Sequence, residues 1–103
     1  MRVHRPAQFV SDRAWGAIDI ERIEDASVRL HWTNAAYIWH VNDGPEVFVV
    51  LDGAVDMHVR DANGESCQQL AVGDIFHAKE GDEHKAVPIG EARILVIERA
   101  GSV

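Results

Sequence analysis

Cysteine is nearly absent. Cys67 stands alone among 103 residues, so no disulfide can form within the chain, and a reducing, cytoplasmic setting is expected. Proline is scarce too, at three, and no Pro/Ser-rich or low-complexity tract marks a linker. One domain spanning residues 1–103 is therefore expected, in keeping with the roughly 100–150 residues of a typical domain. No apolar run approaches the ~18 residues of a membrane span. The basic opening Met1-Arg2-Val3-His4-Arg5-Pro6 is followed by no apolar stretch, so no secretory signal is expected. Basic residues are outnumbered, 10 Lys and Arg against 17 Asp and Glu, for a net charge of −7. Nucleic acid needs a basic patch to displace its counterions, so it is excluded as a partner. No basic amphipathic helix offers itself to a membrane surface. Small molecules and other copies of the chain remain.

Apolar residues make up 47% of the chain, ample for a core. They recur with period two. Val28, Leu30 and Trp32 alternate with Arg29, His31 and Thr33, and Val55, Met57 and Val59 with Asp56, His58 and Arg60. Turn signals recur at Asp43-Gly44-Pro45, Asp52-Gly53, Asn63-Gly64, Gly73-Asp74, Gly81-Asp82 and Gly90-Glu91. Short strands with turns every ~8–12 residues predict an all-β sandwich or barrel. The one helical candidate is a turn over Ser11–Trp15, where Ser11 or Asp12 would cap. Two predicted strands, Val47–Leu51 and Ile94–Ile97, are apolar on both faces and need cover on both. A second subunit is the expected cover, giving a homodimer. The alternative is the N-terminal segment, residues 1–25, folding back across the barrel.

The residues with chemistry to offer lie between Trp39 and Pro88. His40 and Asn42 are two apart on a predicted strand and share a face. Glu46 follows a tight turn, and His84 lies just beyond Gly81-Asp82-Glu83. If these strands are neighbours, two imidazoles and a carboxylate converge. That set suits one divalent ion of iron, manganese, zinc or nickel, with positions open for substrate or water. Ile38, Phe48 and Val50 share parity with His40 and Glu46 and are expected to line the cavity, with Trp32 as a further wall residue able to stack on a ligand. His4, His31, His58 and His77 are expected to face solvent or to be satisfied at the barrel wall. Trp39, on the face opposite His40, is a candidate for the subunit contact, and Lys79 and Lys85 are candidates to meet an anion at the barrel mouth.

The spacing of these residues resembles that of the cupins. Their first motif runs Gly, five residues, His-x-His, three or four residues, Glu, six residues, Gly. The chain has Asn34, five residues, His40-Val41-Asn42, three residues, Glu46, six residues, Gly53. The second motif runs Gly, five residues, Pro-x-Gly, two residues, His, three residues, Asn. The chain has Gly73, five residues, Lys79-Glu80-Gly81, two residues, His84, three residues, Pro88. The motif-bearing stretch spans 34–88, and the ending Arg93–Glu98 resembles that of small, single-domain, mannose-6-phosphate isomerase-like cupins with the type 2 conserved barrel. The resemblance implies a jelly-roll β-barrel, usually homodimeric, and places His40, Glu46 and His84 on three of four metal-ligand positions. Asn42 sits where the family has a second histidine, a weaker donor for zinc or nickel but a tolerable one for manganese or iron. Fold does not settle chemistry. Three functions stay open: a metal-dependent isomerase or dioxygenase acting on a small polar metabolite, a non-catalytic small-molecule-binding module, and a metal-free enzyme using the same pocket.

Overall fold

All six turn signals fall between consecutive strands. The computed structural model describes residues 1–102 and contains nine: β1 (Gly16–Ile23), β2 (Ala26–Thr33), β3 (His40–Val41), β4 (Glu46–Asp52), β5 (Val55–Asp61), β6 (Gly64–Leu70), β7 (Ile75–Ala78), β8 (Glu83–Pro88) and β9 (Ala92–Arg99). They form two antiparallel sheets, one in the order β1-β2-β9-β4-β7 and the other β3-β8-β5-β6. Only β1-β2 and β5-β6 pair with their chain neighbour in one sheet; every other connection crosses between sheets. This is an all-β jelly roll, and its crossings set β3 and β8 opposite β4.

Alternation explains the core. Phe48 and Val50 on β4 and Ile94 and Val96 on β9 meet Val55 and Met57 on β5 and Ala86 on β8. Two turns share one device. In Gly73-Asp74 and Gly81-Asp82 the glycine takes a left-handed φ of +92° and +90°. The aspartate then accepts a backbone N–H from three residues back, Ala71 to Asp74 Oδ2 and Lys79 to Asp82 Oδ2, each at 2.8 Å. Gly53 is bound by space as well, because a Cβ there would sit 2.3 Å from the Glu91 carbonyl oxygen.

The N-terminal segment departs from expectation. No helix forms over Ser11–Trp15; a single 3-10 turn forms earlier, at Pro6–Gln8. Trp15 has φ +60°, a left-handed conformation that no right-handed helix continues through. The 3-10 turn packs against β4 and β9. Arg93, on the outer face of β9, fastens it, donating from Nε to the Phe9 carbonyl (2.9 Å) and from Nη1 to Asp52 Oδ2 (2.8 Å). The chain's own first residues thus cover part of the outer face of the two-sided apolar strands.

Candidate metal centre

The site is built where the two sheets face each other. His40 and His84 are direct cross-strand partners on β3 and β8, and Glu46 opens β4 in the opposite sheet. Two backbone bonds tie the β7–β8 turn to the end of β3: Asn42 N–H to Asp82 O and Gly81 N–H to Asn42 O, each 2.8 Å. They bring Asn42 beside His84. One ligand atom from each of His40, Glu46 and His84 lies within 4.8 Å of the others, and Glu46 and His84 are buried. The His40 and His84 rings are 4.3 Å apart between centroids, and Phe76 flanks His84 at 5.2 Å.

Hydrogen bonding fixes what each group presents. His40 Nδ1 lies 3.2 Å from the Ile38 carbonyl, which can only accept, so Nδ1 carries the proton and Nε2 keeps a free lone pair. Asn42 donates from Nδ2 to the Gly44 carbonyl at 3.2 Å, which turns Oδ1 toward His84. His84 Nε2 lies 2.6 Å from Asn42 Oδ1 and 3.1 Å from Glu46 Oε1. It has one proton at most to donate. Among the described residues, Glu46 Oε1 and His84 Nδ1 are buried without a hydrogen-bond partner. Buried polar atoms left unpaired carry a cost, and lone pairs converging with too few protons between them suit a cation. The residues fit one divalent ion, held by His40, Glu46 and His84, with Asn42 Oδ1 turned toward the same point.

A cavity of about 210 Å³ opens beside this cluster. Of the four residues expected in its wall, Phe48 is there and three are not. Ile38 is 66% exposed, because residues before β3 are irregular and strand parity does not reach it. Val50 shares the face of Phe48 but lies deeper, wholly inside the core. Trp32 is on the wrong face of β2. That strand turns its polar residues inward, with Arg29 and His31 in the cavity wall, and its apolar Leu30 and Trp32 outward. Neither Lys79 nor Lys85 lines the cavity; Arg29 is its cation. Trp39 lies outside the other sheet, beneath the Arg60 guanidinium at 4.1 Å and beside His58, away from β4 and β9.

Sequence reasoning missed Trp15, Tyr37, Arg29, His31 and Glu98 as wall residues. Glu98 pairs with Glu46 across β4 and β9. Burial first, then the neighbouring Glu46 and Asp43, push its carboxyl up to about 7. Burial likewise lowers the His31 imidazole below its ordinary value, against the opposing pull of the Trp15 carbonyl.

No protein-family model matches the chain, and no curated protein does. Solved structures do. A cupin-2 domain-containing protein from Shewanella frigidimarina NCIMB 400 is 27% identical over 86% of this chain and 84% of its own, with a TM-score of 0.76. This chain has a cupin-superfamily fold. A cupin superfamily protein from Desulfitobacterium hafniense DCB-2 shares 13% identity over 96% of this chain and 92% of itself, at TM-score 0.76. Hydroquinone 1,2-dioxygenase from Sphingomonas sp. TTNP3, solved with 4-hydroxybenzoate bound, is 20% identical over 88% of this chain, which covers only 29% of the enzyme, at TM-score 0.75. The last two likenesses are of fold. Among the described residues no helix is long and apolar enough to cross a membrane.

Proposed function

We propose that this cupin is a metal-dependent enzyme acting on a small polar metabolite, in the manner of an isomerase or a dioxygenase. One observation carries the reading: three ligand-bearing side chains from three strands and both sheets converge within 4.8 Å, two of them buried. Three ionisable groups between two sheets are expensive unless paired, solvated or bound to an ion. A bound metal would act as a Lewis acid on a carbonyl or enol oxygen, or, as iron, activate oxygen. The chain's own groups arrange the rest. The Ile38 carbonyl holds the His40 ring in the tautomer that presents Nε2, and Phe76 packs edge-on between His84 and Phe48. The cavity's volume of about 210 Å³ suits a small molecule. Iron or manganese fits the Asn42 oxygen better than zinc or nickel. A cytoplasmic protein is part of this reading, in keeping with the exposed free thiol of Cys67.

The test is elemental analysis of protein purified without chelator or nickel resin, beside His40→Ala and His84→Ala. About one ion per chain in the parent is expected, and loss of metal in both variants with the circular dichroism of the fold retained. Full occupancy in both variants would remove the assignment. The 3.1 Å approach of His84 Nε2 to Glu46 Oε1 favours a second reading, metal-free proton transfer by this pair. Turnover that survives chelation would decide for it.

A further inference from the structure

The metal cluster occupies one side of the cavity and leaves the β2 wall unexplained. His31 belongs to that wall. Its Nδ1 lies 3.1 Å from the Trp15 carbonyl oxygen, which cannot donate, so Nδ1 carries the ring proton. Nε2 has no hydrogen-bond partner among the described residues, and the ring lines the cavity. Burial lowers the affinity of the ring for a second proton, which keeps it neutral at pH 7. A neutral imidazole with Nδ1–H committed can present only one thing to the cavity, an acceptor lone pair.

The support for this ring is costly to build. Trp15 holds a left-handed φ of +60°, a conformation a bulky side chain avoids. Two contacts keep it there: its carbonyl takes the His31 proton, and its indole Nε1–H donates to the Ala35 carbonyl at 2.9 Å. The same indole stands edge-on to Tyr37, at 5.4 Å between centroids, and to His31, at 6.1 Å. Aromatic and apolar groups, Trp15, Tyr37, Phe48, Ala86 and Val96, make up much of the remaining wall. Arg29 and Glu98 share that wall, and a pocket of such mixed lining selects a ligand by shape and by a few oriented hydrogen bonds.

We propose that His31 is a specificity-determining residue, whose Nε2 accepts a hydrogen bond from a hydroxyl of a small ligand bound in the cavity, with phenol as the probe. It deepens the reading of the same cavity as a small-molecule site. It does not require metal, so loss of the metal assignment leaves it standing, and its own failure leaves the metal assignment standing.

Phenol and anisole separate the idea from simple apolar binding, since both fit the same walls and only phenol can donate. Both are titrated into the metal-free protein and followed by amide and ring chemical shifts. Phenol should bind roughly tenfold tighter than anisole, because the analogue leaves an acceptor unpaired. In His31→Phe the two should bind within about twofold of each other. A long-range proton–nitrogen spectrum of the parent should show His31 protonated at Nδ1 alone at pH 7. Equal affinities in the parent, a preference that survives His31→Phe, no saturable shift with either compound, or a ring protonated at Nε2 would each overturn the proposal. The last measurement holds even where the variant does not fold.

Discussion

Asn42 decides how strongly the cluster could hold a metal. Its amide is turned by the Gly44 carbonyl so that oxygen, not nitrogen, faces His84. The chain thus keeps a donor at the position where the cupin pattern has imidazole, but a neutral and weakly basic one. An amide oxygen competes poorly for zinc or nickel and adequately for manganese or iron. Replacing it tests the geometry directly. Asn42→His should raise affinity for zinc or nickel by roughly tenfold, as imidazole replaces the amide. A competition titration against a chromophoric chelator reads this. Unchanged affinity would show that position 42 does not look at the ion. The side chain is buried, so a thermal melt of the variant belongs beside the titration.

Among the elements, the β4–β5 turn shows how little slack the barrel has. Gly53 combines a φ of +78° with a Cβ direction that runs into the Glu91 carbonyl and Ala92, the start of β9. Gly53→Ala must therefore strain its own backbone and push away the next turn. A loss of about 2 kcal/mol or more is expected, a fall in Tm of roughly 10 °C for a chain of this size. Gly64, at the β5–β6 hairpin, has φ +121° and open space around its Cβ position. Gly64→Ala should cost less, and equal costs in thermal melts would mean that the Glu91 contact is immaterial. The turns were legible in the sequence because glycine and aspartate mark local backbone demands. The pairing of His40, Asn42, Glu46 and His84 was legible because they sit at fixed distances from those turns. The opposite wall of the cavity was not. Arg29, His31 and Glu98 reach it through the β2–β9 pairing, a contact between segments far apart in the chain, and Trp15 through its bonds to His31 and Ala35. The alternation on β2 was visible, but its sense was inverted. Apolar residues were expected inside, and here β2 turns Arg29 and His31 to the cavity while Leu30 and Trp32 are buried on the outer face. Only the mix of Arg29, His31 and Thr33 on one face hinted at it.

At the scale of the molecule, the two sheets have unlike outer faces. The β3-β8-β5-β6 sheet shows water the salt bridge of Arg60 with Glu83, its bonds 2.7 and 3.0 Å, and Trp39 lies under the same guanidinium. The outer face of the other sheet is apolar. Ile97 sits at its middle, paired with Val28 on one side and Val47 on the other, all three half-buried. Ile75, toward the β7 edge, is 66% exposed. The 3-10 turn at Pro6–Gln8 covers the part near Arg93 and Asp52, so the chain supplies some of the cover that its two-sided apolar strands require. What remains apolar and open is the ground for a second copy. The chain should run in light scattering as a dimer of about twice 11.4 kDa, burying more than roughly 1,000 Å² in total. Ile97→Lys places a charge at the centre of that face and leaves the cavity side of β9 untouched. It should convert the dimer to a folded monomer, since an unpaired charge at the core of an apolar interface has no compensation there. A parent that is monomeric at micromolar concentration would rule out the dimer. An Ile97→Lys variant that stays dimeric would move the contact to another face.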